Sequence, residues 1–233
     1  KFDAIIIDEG QDFTPKMLES LEFLLEDSKD GFFYIFADKK QDLWNKSADL
    51  ENANDFGPIW ELDRNVRNSK LIAEKINNIF DTHDETIDED GPEPIFLDST
   101  HPVQTKSHLS DQVEALLMEG YSHKEIVILC WWEDIDEIKE TLSSNSYLIE
   151  HKIAEEMNLE SVRRFKGLES EAVILVLPLN WTRAELTHRA EEVKKMAYTG
   201  ISRPTTQLVV IGPHHTLQRE INWGGESTDW WRR

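Results

Sequence analysis

Ile5-Ile6-Ile7-Asp8-Glu9-Gly10-Gln11-Asp12 opens on an isoleucine run and stops at two acids. A continuous apolar run this short, rich in β-branched residues, suits a strand buried on both faces of a parallel sheet better than a helix. The reading places that strand at Phe2 to Ile7. Thr14-Pro15 then opens a helix, with Thr14 as the cap and Pro15 in the first turn. Its apolar positions Met17, Leu18, Leu21, Leu24 and Leu25 follow helical spacing. A second buried strand is predicted at Gly31 to Ala37 and a second helix at Ser69 to Phe80.

Asp84 to Pro94 is acidic, holds a glycine and two prolines, and lacks periodicity, so it reads as a linker or hinge. Beyond it, strands are predicted at Pro94 to Leu97, Glu125 to Cys130, Ala172 to Leu177 and Gln207 to Ile211. Helices at Ser107 to Met118, Ile135 to Leu142 and Ala184 to Tyr198 alternate with them. Strand and helix in alternation predict an α/β class with doubly wound parallel sheets. No internal repeat or low-complexity tract interrupts the pattern.

The 233 residues are 39% hydrophobic, enough to fill a core, and no run of about 18 apolar residues appears. Residues 1 to 20 lack the zones of a signal peptide, so a cytoplasmic location is expected. Cys130, the single cysteine, can form no intramolecular disulfide; within Ile126-Val-Ile-Leu-Cys130 it reads as a buried thiol. The formal charge of −21 argues against a general nucleic-acid binder, which needs cationic surface to release counterions. The basic residues are nevertheless clustered: Lys39 and Lys40, Arg64 and Arg67, Arg163 to Lys166, and Lys194 to Arg203. His214 and His215 lack a third ligand at metal-binding spacing and read as a surface loop. Trp131, Trp132, Trp230 and Trp231 are read as core cover or a partner surface ahead of base stacking. Tyr198 fits a core position of its helix equally well.

Five motifs carry chemistry. Asp8-Glu9-Gly10-Gln11-Asp12 puts carboxylates at the C-terminal end of a strand, where α/β folds bind ligands. Asp38-Lys39-Lys40-Gln41 follows the second strand, with Trp44 just beyond. Leu62-Asp-Arg-Asn-Val-Arg67 precedes a helix, and Ser161-Val-Arg-Arg-Phe-Lys-Gly-Leu-Glu-Ser170 precedes a strand. Ala197-Tyr-Thr-Gly-Ile-Ser-Arg203 closes the set. Taken singly, most have bland readings: a solvated strand end, a packed tryptophan, a surface arginine.

In order and spacing the five resemble the motifs of UvrD/Rep-type superfamily 1 helicases, from the Walker B motif onward, over Asp3 to about Gly212. Lys166-Gly-Leu-Glu169 is the longest retained stretch. The sequence departs from the family pattern at Ala37, Ser161, Arg163, Ser170, Ser202 and Pro204. The resemblance implies a RecA-like P-loop NTPase fold with ATP and Mg²⁺ as cofactors. It implies a partial first core domain with its linking helix at 1–83, an acidic linker at 84–94 and a second core domain at 95–233. The short stretch from Arg67 to Ser161 leaves no room for the family's large accessory insertion.

Residue by residue, the resemblance gives Mg²⁺ to Asp8 and water activation to Glu9. It gives γ-phosphate sensing to Gln41, terminal phosphate contact to Arg67, the ribose to Glu169 and an arginine finger to Arg203. Trp44, Ser161, Arg163, Arg164 and Lys166 would meet single-stranded or partly duplex DNA, or RNA. The parent would be an ATP-driven helicase or translocase. A non-catalytic regulatory module and a P-loop ATPase acting on protein are the other readings.

The glycine-rich loop Gly-x-x-x-x-Gly-Lys-[Ser/Thr] occurs nowhere in these residues. The chain is therefore expected to lack the N-terminal half of its motor, to expose apolar surface on its first lobe and to bind ATP weakly. The lobes are expected to divide between Asp81 and Pro94, and Asp8, Glu9, Gln41, Arg67, Glu169 and Arg203 to converge on one cleft between them.

Overall fold

The isoleucine run does form a strand, β1 (Ala4–Ile7), hydrogen-bonded in parallel to β2 (Phe32–Ile35) with Ile6 opposite Tyr34. Between them lies α1 (Pro15–Glu22), with Pro15 at its start and Thr14 at the cap position. The helix ends earlier than its apolar spacing suggested: Leu24 and Leu25 lie beyond it, and Phe2 pairs with Leu25 in an isolated bridge. In this computed structural model, residues 1–27, 31–43 and 58–221 are described. Trp44, Trp230 and Trp231 lie outside the described residues.

Burial on both faces of this first sheet is not observed. Ile7 and Leu18 are buried, but Ile6 is 69% exposed, Phe32 59% and Tyr34 53%. The register puts Ala4, Ile6, Phe32 and Tyr34 on one face, and Ile6, Phe32 and Tyr34 are exposed there.

The chain divides into two compact units, Lys1–Leu62 and Asp63–Arg233, so the boundary falls ahead of the acidic 84–94 segment expected to carry it. The physical reason is α2 (Lys70–Phe80), which buries Ile72, Ala73, Ile76 and Ile79 inside the second unit. The segment after α2 is tied down as well. β3 (Arg64–Asn65) pairs with β4 (Glu85–Thr86), and Lys70 N–H donates to the Glu89 carbonyl.

The second unit is built on a five-stranded, all-parallel sheet of β5 (Ile95–Asp98), β6 (Ile126–Cys130), β7 (Asn158–Ser161), β8 (Ser170–Val176) and β9 (Pro204–Gly212). The spatial order is β5-β9-β8-β6-β7. β6 is buried at every residue and β8 from Ala172 onward, as parallel strands covered by helices must be.

One face carries Ile126, Ile128, Ala172 and Ile174 against α3 (Pro102–Glu119), α4 (Ile135–Ser143) and α5 (Ser146–Glu150). The other face meets α7 (Ala190–Ile201), where Gly200 lies against Leu175 so closely that a Cβ would come within 2.8 Å of it. The helix predicted at Ala184 to Tyr198 is in fact two, α6 (Arg183–His188) and α7, because Arg189 takes a non-helical conformation between them. This is a doubly wound α/β fold of the Rossmann and RecA-like kind, and the α/β expectation holds.

Two further departures from the sequence reading lie in this unit. β7 and α5 were not foreseen, since Asn158-Leu-Glu-Ser161 is a mostly polar edge strand and Ser146–Glu150 a single short turn of helix. His214 is not in a surface loop: it begins α8 (His214–Ile221), is fully buried and packs edge-on against Phe96 at 5.6 Å. Burial pushes its pKa down to about 4. Cys130 is a buried free thiol as expected, pushed up to about 12 by burial and by the nearby Asp134 and Glu160 carboxylates.

Candidate functional site

In the first unit, the acids follow β1 as its backbone leaves the sheet. Glu9 adopts a left-handed conformation (φ 52°), which costs a non-glycine residue energy and is worth noting at a candidate site. Gly10 N–H donates to the Phe36 carbonyl, and a Cβ on Gly10 would lie 2.3 Å from Ile35, so only glycine fits where the chain crosses β2. Gln11, fully buried, ties the motif together. Its Nε2 donates to Glu9, and its Oε1 accepts from Asp38 N–H at 2.9 Å. Gln41 in turn donates to Asp38 Oδ2 at 2.8 Å. Asp8, Glu9, Asp38 and Gln41 are thus held at the C-terminal edge of one parallel pair.

Mg²⁺ is bound through one or two carboxylates, with phosphate and water oxygens completing its shell. Asp8 fits that donor set, with its Oδ1 accepting the neighbouring Glu9 N–H at 2.8 Å. Among the described residues no group of three or more His, Cys, Asp or Glu side chains forms a protein-only cage.

In the second unit, three motifs distant in sequence meet at the N-terminal edge of β8 and β9. Arg67 Nε donates to Glu169 Oε2 at 3.0 Å, with the two side chains 38% and 60% exposed. Arg203 is 2% exposed and spends its guanidinium inside the fold, donating to the Thr199 carbonyl, the Leu168 carbonyl and Ser202 Oγ. Its own carbonyl accepts from Ser170 N–H. Arg203 therefore grips the chain on both sides of Glu169. Gly167, at φ 80°, supplies the turn that the motif's glycine implied. Ser170 donates its hydroxyl to the Glu125 carbonyl and fastens the start of β8.

Asn68 was not singled out from sequence, yet it is the joint of this edge. It is buried, and its amide donates to the carbonyls of Ser202 and Pro204. Asn65 orients it, accepting Asn68 N–H and donating to Asn68 Oδ1. The available signal was a pair of asparagines three apart bracketing Arg67, just before a helix.

The residues expected to meet nucleic acid are placed unequally. Ser161 is buried at the end of β7, where its hydroxyl accepts from Arg164 N–H at 3.4 Å. Arg163 donates to Glu192 at 3.0 Å, and Arg164, largely exposed, lies 3.6 Å from Glu160. Lys166 is half-buried in the same loop. Of the tryptophans after β6, Trp131 is core and meets Trp181 edge-to-face at 6.2 Å, whereas Trp132 is exposed. Arg189 stacks on Trp181 at 3.7 Å. Tyr198 is a core residue, edge-on to Phe80 at 5.0 Å.

Compared with protein-family models and with curated proteins, the chain matches none. Among solved structures it is similar to the C-terminal domain of a possible DNA helicase from Lactobacillus plantarum WCFS1. The identity is 15% and the TM-score 0.45, over 63% of this chain and 86% of that one. Likeness at that level transfers no function. Among the described residues no helix is long and apolar enough to cross a membrane.

Proposed function

We propose that this chain supplies the acid and arginine half of an ATP-driven motor on nucleic acid, of UvrD/Rep type. One observation carries the reading: Arg67, Glu169 and Arg203, from three separate motifs, gather at one sheet edge, with Asn68 and Leu168 as the links. Asp8 would hold Mg²⁺, which supplies charge neutralisation at the phosphates, and Glu9 would take the proton of the attacking water. Gln41, presented beside Asp38, is an uncharged donor suited to a phosphate oxygen. Arg67 offers a fork of donors to a terminal phosphate, and Glu169 two acceptors to a ribose diol. Arg203, as the structure holds it, orients the loop that presents Glu169. Arg164 and Lys166 are the cations of that loop, and single-stranded DNA or RNA is the partner that the motif set favours.

The non-catalytic reading has its own support. Arg203 is already committed to internal carbonyls, and Arg67 and Glu169 neutralise each other. ATP hydrolysis stimulated by single-stranded DNA separates the two readings, assayed in a protein that joins this chain to a glycine-rich phosphate loop. Glu9→Gln and Arg67→Ala are expected to lower kcat by about a hundredfold or more. Unchanged activity in both would overturn the motor assignment. The 233-residue chain alone is expected to bind ATP more weakly than micromolar, since loop N–H groups provide most contact with a triphosphate.

A further inference from the structure

The opposite edge of the same sheet carries a cleft that the motor reading does not use. It lies beyond the C-terminal ends of β5, β8 and β9, with a volume of about 270 Å³, and is lined in part by Ser99, His101, Trp181, Arg183, Pro213 and Thr216. Its position follows from topology. α3 leaves β5 for the face of Ile126 and Ile174, while α8 leaves the adjacent β9 for the other face, where His214 meets Phe96. Adjacent strands whose following helices diverge open a crevice between their carboxyl ends, and open α/β sheets bind ligands there.

The lining has a definite chemistry. In a chain of net charge −21, no carboxylate is among the described residues that line this cleft, while Arg183, His101 and several hydroxyls are. Asp98, the acid closest along β5, is turned to α8, where Oδ1 accepts His215 N–H at 3.1 Å. His101 Nδ1 accepts from Val103 N–H, so the ring's remaining N–H, on Nε2, is a donor. Trp181 adds an aromatic wall.

We propose that this cleft is a second ligand site, for a phosphate monoester of nucleotide size, with Arg183 and His101 on the phosphate and Trp181 beside the base. The ligand is a free mononucleotide or the 5′-phosphorylated end of a strand; both present the same group. The site stands apart from the Arg67–Glu169 edge. Glu185, two residues from Arg183, is an acid beside it, its carboxylate accepting from the lining residue Thr182 at 2.7 Å.

Titration calorimetry of the full chain with adenosine monophosphate, and with a short single strand with and without its 5′-phosphate, tests this. Arg183→Ala and His101→Ala are each expected to weaken adenosine monophosphate binding about tenfold. Glu185→Gln keeps the capping box but removes the opposing charge, and is expected to tighten binding a fewfold. Opposite signs from neighbouring residues are not produced by a general loss of structure. Binding of the strand that depends on its 5′-phosphate identifies a strand end as the source, and binding of the mononucleotide alone identifies a free nucleotide. Binding by neither probe overturns the proposal. So does affinity that ignores Arg183, His101 and Glu185 but falls with Glu169→Gln, which would place the phosphate at the other edge.

Discussion

In the second unit, alternate residues of β6 and β8 point to two covered faces, and Ile128, Leu129, Ile174 and Leu175 are fully buried. In the first unit the same alternation along β1 and β2 buries Ile7 and leaves Ile6, Phe32 and Tyr34 more than half exposed. The sequences of the two sheets are alike in hydrophobicity, so composition does not set the difference. What differs, among the described residues, is how many elements pack on each sheet: α1 lies between β1 and β2 along the chain, whereas α3, α4 and α7 cover both sides of the five strands. An isolated pair of strands is marginal, while a sheet filled on both faces is a rigid mount for side chains.

That contrast makes its largest prediction in the cores. Ile174→Ala should cost about 2–5 kcal/mol by leaving a cavity among close-packed neighbours. Ile6→Ala should change stability by less than about 0.5 kcal/mol. Urea unfolding of the full chain measures both, and hydrogen exchange should show β1 and β2 amides exchanging faster than those of β6 and β8. An Ile6→Ala cost equal to that of Ile174→Ala would break the comparison, because it would mean that the open face is covered in solution.

Two buried titratable groups in the second unit sharpen it. Burial raises Asp134 to about 6, although its Oδ2 accepts Leu179 N–H and the Glu133 and Glu137 carboxylates add to the rise. Between the ordinary aspartate value and pH 6, the folded chain therefore holds a proton that the unfolded chain has lost, and stability falls as pH rises through that window. His214, lowered to about 4, does the reverse: the unfolded chain holds the extra proton, and stability rises from about pH 4 to 6.5. The two slopes oppose each other. Asp134→Asn, which keeps an acceptor for Leu179 N–H, should unmask the histidine slope and add about 2 kcal/mol at pH 7.5. Urea midpoints across pH 4 to 8 check this; a variant no more stable than the parent at pH 7.5 would refute it.

Arg203 is expected to matter somewhat less. Arg203→Ala leaves the Thr199 and Leu168 carbonyls without their guanidinium donor, costing about 1–3 kcal/mol. Arg203→Lys should recover only part, because an ammonium cannot span the fork. Faster proteolysis at Lys166 in the alanine variant would report the loosened loop. A fully stable Arg203→Ala chain would instead return Arg203 to the role of a side chain that waits for a ligand.

Much of this was legible in residues. β1, β2 and β6 were readable as short continuous apolar runs, and α2 within a residue of its observed start at Lys70. Gly167's turn was implied by its motif. Burial on both faces of β1 was not legible, since an isoleucine run records what a strand can bury and says nothing of how many neighbours it has. The unit boundary was misjudged because the acidity of 84–94 describes its solvent face, whereas its attachment runs through backbone bonds such as Lys70 N–H to Glu89. Asn68 escaped notice because its role depends on carbonyls 134 and 136 residues away. His214 escaped because a histidine after a strand has no local pattern that marks it as core.

The smallest expected effect on stability concerns the pair with the largest proposed role. Arg67 and Glu169 meet at 3.0 Å with both side chains well exposed, and such pairs are worth about 0–1 kcal/mol. A double-mutant cycle on Arg67→Ala and Glu169→Gln should give a coupling in that range, falling further with added salt. Weak coupling is what the proposed function needs, because a phosphate can reach Arg67 only if Glu169 yields it, and Glu169 can reach a ribose only once it has let Arg67 go. A coupling above about 2 kcal/mol, insensitive to salt, would mark a structural clasp. The edge would then be closed to a nucleotide, and the non-catalytic reading would stand in its place.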